Sequence, residues 1–194
     1  MSIDATRLQK RIGLIPDGVI GPDTLTQLFY KAGAAPARAR ELGLSANVHF
    51  RTADVLASGL RLAHFMAQLV HESCCFRYME EIASGQAYEG RKDLGNLQPG
   101  DGKLFKGRGP IQLTGRANYR AYGRRLGIDF ESHPEIVGLP SVGLMVACSY
   151  WSTHALNKLA DADDLGTITR RINGGLNGLE ERAAALIKMK GLVL

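Results

Sequence analysis

The chain has no apolar run long enough to cross a bilayer. Its longest, Leu60 to Val70, is broken by Arg61, His64 and Gln68 and falls well short of the ~20 apolar residues a transmembrane helix needs. Behind the charged N-terminus, MSIDATRLQKR, there is no apolar h-region, so a signal peptide is not expected and a cytoplasmic setting is, until some other agent releases the protein. Cysteine is scarce: Cys74, Cys75 and Cys148 cannot all pair, and neighbours such as Cys74 and Cys75 bridge only with strain, which points to a reduced compartment. There is no internal repeat and no low-complexity block. A phosphate-binding loop is excluded as well, because Leu97 stands where the GDGK at 100–103 would require glycine.

What remains is a chain of 194 residues, 45% of them hydrophobic, enough for one well-buried domain with a small appendage. The net charge of +5 favours an anionic partner, whether nucleic acid, membrane surface or cell-wall polymer, without choosing among them.

Residues 1–34 read as a small separate unit. Leu8 and Ile12 share one face of a helix over Ala5 to Ile12, Asp17-Gly18 makes a turn, and Pro22 opens a second helix whose apolar side is Leu25, Leu28 and Phe29. Gly33 ends it, and AAPARARELGLSA has the character of a linker leading into a new helix. The spacing of Leu56, Leu60, Ala63, Ala67 and Val70 predicts a long buried helix from Thr52 to His71. Ser84 to Gly115, rich in glycine and poor in alternating runs, is expected to be mostly loop. Helices follow over Arg116 to Leu126, stopped by Gly127, and over Pro140 to Leu156, Asp164 to Ile172 and Leu179 to Lys188. The fold class is therefore mainly α, with a long irregular segment at its middle, and such segments are commonly functional.

Two places can do chemistry. Glu72 lies at the end of the apolar run AHFMAQLV, partly withdrawn from water, a setting in which a carboxyl can serve as a general acid. Glu81 follows nine residues on, with Glu80 beside it. On a continuous helix Glu72 and Glu81 would be about 13.5 Å apart at ~1.5 Å per residue. A bend at Ser73 to Cys75 brings them closer, toward the ~6.5 to 9.5 Å that suits inverting glycoside hydrolysis. The second place is GRGPIQLTGRANY, residues 107–119, where Gly107, Gly109 and Gly115 permit close approach of a ligand. Gln112 and Thr114 present an amide and a hydroxyl on one side, since residues two apart on an extended segment face the same way.

AHFMAQLVHES, the EE pair, YEGRKDLGN, GRGPIQLTGRANY and INGGLNG, in that order, resemble the catalytic domain of glycoside hydrolase family 19, in the style of its short bacteriophage endolysins, over roughly residues 45–190. The resemblance implies a lysozyme-like helical fold and inverting hydrolysis of β-1,4-linked N-acetylhexosamine polymers, with neither cofactor nor metal. It makes Glu72 the general acid, Glu81 the general base and Thr114 the hydroxyl that helps hold the attacking water. It puts Gln112, Tyr119, Asn173 and Arg182 at substrate-binding positions, Arg182 as the basic residue that orients the catalytic carboxyl. The family commonly has small residues such as glycine where Cys74 and Cys75 stand, which opens a rival in which one of them is a nucleophile activated by His71 or His64. His64 is expected to be a packed core residue and His71 a structural one.

TRLQKRIGLIPDGVIGPDTLTQLF in turn resembles the common peptidoglycan-binding module, shortened, with Asp17, Gly18 and Gly21 as wall-binding candidates. The expectation is thus a catalytic domain over 35–194 behind a short wall-binding unit over 1–34. The whole would be a monomeric endolysin, held in the host cytoplasm until release, whose partner is bacterial peptidoglycan rather than nucleic acid or membrane. A chitinase and a non-catalytic wall-binding protein are the alternatives.

Overall fold

The computed structural model describes residues 2–194 and is helical, with no β-strand among them beyond isolated bridges of Arg108 to Glu80 and to Leu113. α1 (Ala5–Ile12) is capped by the Asp4 carboxylate, which accepts from the Arg7 amide, and stops at Gly13. α2 (Pro22–Ala32) has proline in its first turn and ends at Gly33 in the left-handed conformation. α3 (Pro36–Thr52) follows after only Ala34 and Ala35. The expected linker is therefore only these two residues after Gly33, and the helix it leads into starts at once, because Pro36 fills the first turn, where its missing N–H is no loss.

α2 and α3 cross closely at Gly43, where an added Cβ would lie 2.3 Å from Thr26 Oγ1; no larger residue fits there. α4 (Gly59–Glu72) begins at its Ser58 cap rather than at Thr52, the preceding turn being a separate 3-10 segment, Val55–Ala57. The central segment holds 3-10 turns at Gln86–Tyr88 and Lys92–Leu94 and one helical turn, α5 (Asp101–Leu104). α6 (Arg116–Leu126) stops at Gly127 as expected. α7 (Pro140–Thr153) ends earlier than expected, and a further helix, α8 (Leu156–Asp161), follows through Ala155, which takes a left-handed φ of 50°. α9 (Leu165–Asn173) and α10 (Leu179–Val193) complete the chain.

One core runs through all of this. A row of rings, Phe76, Phe29, Phe50, Phe65 and Trp151, crosses it from the turn after α4 through α2, α3 and α4 to α7, with successive centroids 5.1, 5.9, 5.2 and 5.1 Å apart. Tilted and edge-to-face pairs of this kind add to the burial of the rings themselves. α4 is buried nearly all round and packs along α10, which fixes the position of its last residue, Glu72.

Candidate active site

Glu72 is met by Arg182 of α10, whose Nη2 donates to Oε1 at 2.5 Å. The glutamate side chain keeps 17% of its surface exposed while that of the arginine keeps 2%, so the carboxyl opens to solvent above a buried cation. α4 then stops abruptly. Ser73 is buried, its hydroxyl donating to Leu69 O at 2.6 Å and accepting from the Phe76 amide at 2.8 Å. Cys74, Cys75 and Phe76 take φ of 49°, 59° and 62°, a left-handed run in residues that each disfavour it by about 1–2 kcal/mol. Phe76 is anchored against Phe29. The chain therefore reverses where a continuous helix would have carried Glu81 further along the axis.

Glu81 and Glu80 meet different partners. Glu80 takes Lys106 Nζ at 2.9 Å and Arg108 Nη2 at 3.4 Å, and these two cations hold its carboxyl below the usual range. Glu81 is held by neutral donors: the Tyr88 hydroxyl reaches Oε1 at 3.0 Å and the Gly107 amide reaches Oε2 at 3.2 Å. Its own amide donates back to Gly107 O at 2.9 Å. Burial and the neighbouring Glu81 carboxylate raise the Tyr88 hydroxyl above its ordinary value, so it stays a donor at neutral pH.

Gly107 is the hub of this side. A Cβ built on it would stand 2.6 Å from Gln112 Oε1 and 3.4 Å from both Glu81 Oε2 and Thr114 Oγ1. The three side chains named from the sequence thus converge on one bare stretch of backbone. Gln112 is itself left-handed, at φ 55°, with Nε2 bonded to Gly109 O at 3.0 Å, and Thr114 Oγ1 donates to Gln112 O at 2.9 Å. Both line a cavity of about 310 Å³ whose other wall is Tyr122, Tyr150 and His154. Those three rings are stacked, Tyr150 lying 6.2 Å from Tyr122 and 3.9 Å from His154. Burial, with Tyr122 and Glu72 nearby, pushes the Tyr150 hydroxyl up to about 12. The irregular segment is braced from behind by Arg116, which binds Asp101 at 2.5 Å and Glu131 at 2.9 Å and lies over the Phe105 ring.

Two expected contact residues lie beneath the site rather than in it. Tyr119 is fully buried; its hydroxyl donates to Lys106 O at 2.7 Å and accepts from Arg108 Nη1 at 3.1 Å. It supports the loop from behind because it sits on the same face of α6 as the buried Tyr122. Arg182 is 1% exposed, so it cannot touch a substrate and acts only through Glu72. Asn173 is exposed at the end of α9, bonded to Asn177 O at 3.2 Å.

Asp17, Gly18 and Gly21 are engaged in building their own turn. Buried Gln9 donates to Asp17 Oδ1 at 2.6 Å and to Thr24 Oγ1 at 3.0 Å, and accepts from the Asp17 and Gly18 amides. Gly18 takes φ 77° and Gly21 caps α2. Neither histidine serves a cysteine: His64 is fully buried and bonded to Asp163 at 2.6 Å, and His71 lies against Gly178, where a Cβ would stand 2.4 Å from its ring.

The family model described as chitinase class I matches residues 29–164. The chain belongs to glycoside hydrolase family 19. The match begins inside α2 and takes in Glu72, Glu81, Gln112 and Thr114, while Asn173 and Arg182 lie beyond it. An endochitinase of Arabidopsis thaliana is 35% identical over 162 residues, covering 81% of this chain and 56% of its own. A glycosyl hydrolase family 19 domain-containing protein of Haemophilus influenzae is 38% identical over 102 residues, 53% of this chain and 49% of its own. This family 19 chain thus spans about half the length of the curated relatives it matches. Among solved structures, chitinase C from Streptomyces griseus HUT6037 superposes with a TM-score of 0.66 at 21% identity over 89% of this chain and 91% of its own, a likeness of fold.

Proposed function

We propose that this family 19 protein hydrolyses β-1,4-linked N-acetylhexosamine strands with inversion. Glu72 protonates the leaving oxygen, Glu81 takes a proton from a water, and Thr114 with Gln112 holds that water against the sugar. The observation that carries this reading is the convergence of Glu81, Gln112 and Thr114 on Gly107, across a reversed turn from a carboxyl backed by a buried guanidinium. As Glu72 gives up its proton it becomes an anion beside Arg182, a fixed cation already in place, so little reorganisation is needed at that moment. Each Glu81 oxygen keeps acceptor capacity beyond its one donor, enough to receive a water.

For the substrate we propose bacterial peptidoglycan, and for the role an endolysin, a monomer released from the host cytoplasm to reach the wall. The charge of +5 suits an anionic wall, and residues 1–34 would add wall affinity to the catalytic domain over 35–194 through the exposed Ile15 and Val19 of their turn. Chitin is the second reading, favoured by the names of the relatives, an endochitinase among them.

Clearing of outer-membrane-stripped bacteria and hydrolysis of glycol chitin, run side by side, separate the two. Glu72→Gln is expected to lose activity by roughly 10³-fold with its fold intact. Full activity of that variant overturns the mechanism. Mass spectrometry of fragments from isolated walls then identifies the bond cut.

A further inference from the structure

Gln68 lies one helical turn before Glu72 on α4 and is completely buried. Arg182 divides its guanidinium between the two: Nη1 donates to Gln68 Oε1 and Nη2 to Glu72 Oε1. A guanidinium has donors only, so the amide must turn its oxygen to the arginine. Its Nε2 is left buried with no partner, as is Arg182 Nε. A buried amide with an orphan donor, at a position where leucine or methionine would pack without one, calls for an explanation beyond packing.

We propose that Gln68 is the positioning residue for the general acid: it draws half of the Arg182 fork away from Glu72 and so sets how strongly the cation holds that carboxyl. The proposal deepens the glycosidase reading and rests on it. An acid that must donate a proton and then accept a negative charge needs a cation near enough to stabilise the product and not so fully engaged that the proton is lost beforehand. With both terminal nitrogens on Glu72, Arg182 would give the anion two charge-assisted bonds; with one on a neutral oxygen, it gives it one. The other charged or titratable groups that face Glu72 are His71 on its own helix and Tyr150 from α7, with Glu181 of α10 acting on His71. None of them contacts Gln68 through a hydrogen bond among the described residues.

Two substitutions then displace the alkaline limb of kcat in opposite directions. Gln68→Leu frees Nη1 to join Nη2 on Glu72, so the limb moves to lower pH by about one unit. Gln68→Glu offers Arg182 a competing carboxylate, and the limb moves to higher pH by about as much. KM changes by less than about twofold in both, since the buried residue touches no substrate. Gln68→Asn, which withdraws the amide, follows the leucine variant if the glutamate variant does not fold. A packing role alone would shift stability and leave the limb in place; the same limb in every variant overturns the proposal.

A readout free of activity accompanies it. In the wild-type protein hindered rotation is expected to resolve the Arg182 Nη–H resonances, and in Gln68→Leu the Nη1–H resonances are expected to shift as that nitrogen passes from an amide oxygen to the Glu72 carboxylate; an Arg182 spectrum unchanged in that variant overturns the tether. Should Glu72→Gln prove fully active, the glycosidase reading fails while these resonances still decide whether Gln68 holds Arg182.

Discussion

Glu72 stands at the end of a regular helix and leans on a buried guanidinium, whereas Glu81 stands in irregular chain and leans on a phenol and a backbone amide. The first kind of support comes from packing between α4 and α10, far apart in sequence; the second is assembled within a single segment by Gly107 and Tyr88. A carboxyl that ends a step as an anion is served by a fixed charge. One that must accept a proton is served by neutral donors, which orient it without competing as strongly for its lone pairs. The neighbouring Glu80, bound to two cations, shows what Glu81 avoids.

The comparison breaks most severely at Gly107. Gly107→Ala puts a methyl 2.6 Å from Gln112 Oε1 and 3.4 Å from Glu81 Oε2, so the Gln112 amide must move away from the carboxylate's side. A shift of about 1 Å there is expected to lower kcat by ~10²-fold, with the melting temperature nearly kept. Unchanged kcat would mean that the convergence is not used. Tyr88→Phe is a milder probe: it removes one of two donors to Glu81, and a net loss of about 0.5–1.5 kcal/mol gives a roughly two- to thirteenfold fall in kcat/KM, to be read from initial rates.

The brace behind Glu81 is tested by acid. Arg120 and Arg116 hold the Glu131 carboxyl down at about 2, against an ordinary 4.5. A lowered native value contributes stability that is in place above the ordinary value and is lost as pH falls toward about 2. Urea unfolding at pH 7 should find Glu131→Gln weaker by roughly 1 kcal/mol, less than full linkage because the group is partly solvated. Near pH 2 the difference from wild type should close. The smallest effect is expected at the turn between the two glutamates. Cys75→Gly relieves a left-handed residue and adds freedom to the unfolded chain, so the two nearly cancel, and the melting temperature should rise by no more than ~2 °C.

Local signals carried much of the fold. α1, α2 and α6 match the sequence expectation because Asp4, Pro22 and the closing glycines act on their own neighbours. α8 was not legible, since Ala155 takes the left-handed turn that glycine would have announced. Before α3, proline and alanine suggested a longer linker into the helix than the structure has, since both sit comfortably in and beside a first turn. Glu72, Glu81, Gln112 and Thr114, the residues of the proposed site, were singled out through family motifs. Gln68 was not, because its partner Arg182 lies across the fold; Tyr88 and the stack of Tyr150 on His154 have partners seven and four residues away, and no spacing rule marks those contacts. Tyr119 was misplaced for a related reason: the motif marks its position, and only the helix face shows that it points inward.

The ring of Phe29 touches Phe76 in the turn after Glu72, and Gly33 packs under Cys75. Protein dissection by truncation therefore cannot assign affinity and turnover to separate pieces of this chain. Cutting away the first 34 residues would strip the support from beneath the turn and blur two measurements into one. Surface substitution on the outer side of that unit, at Ile15, which is 94% exposed, is the cleaner instrument for asking what the N-terminal residues hold.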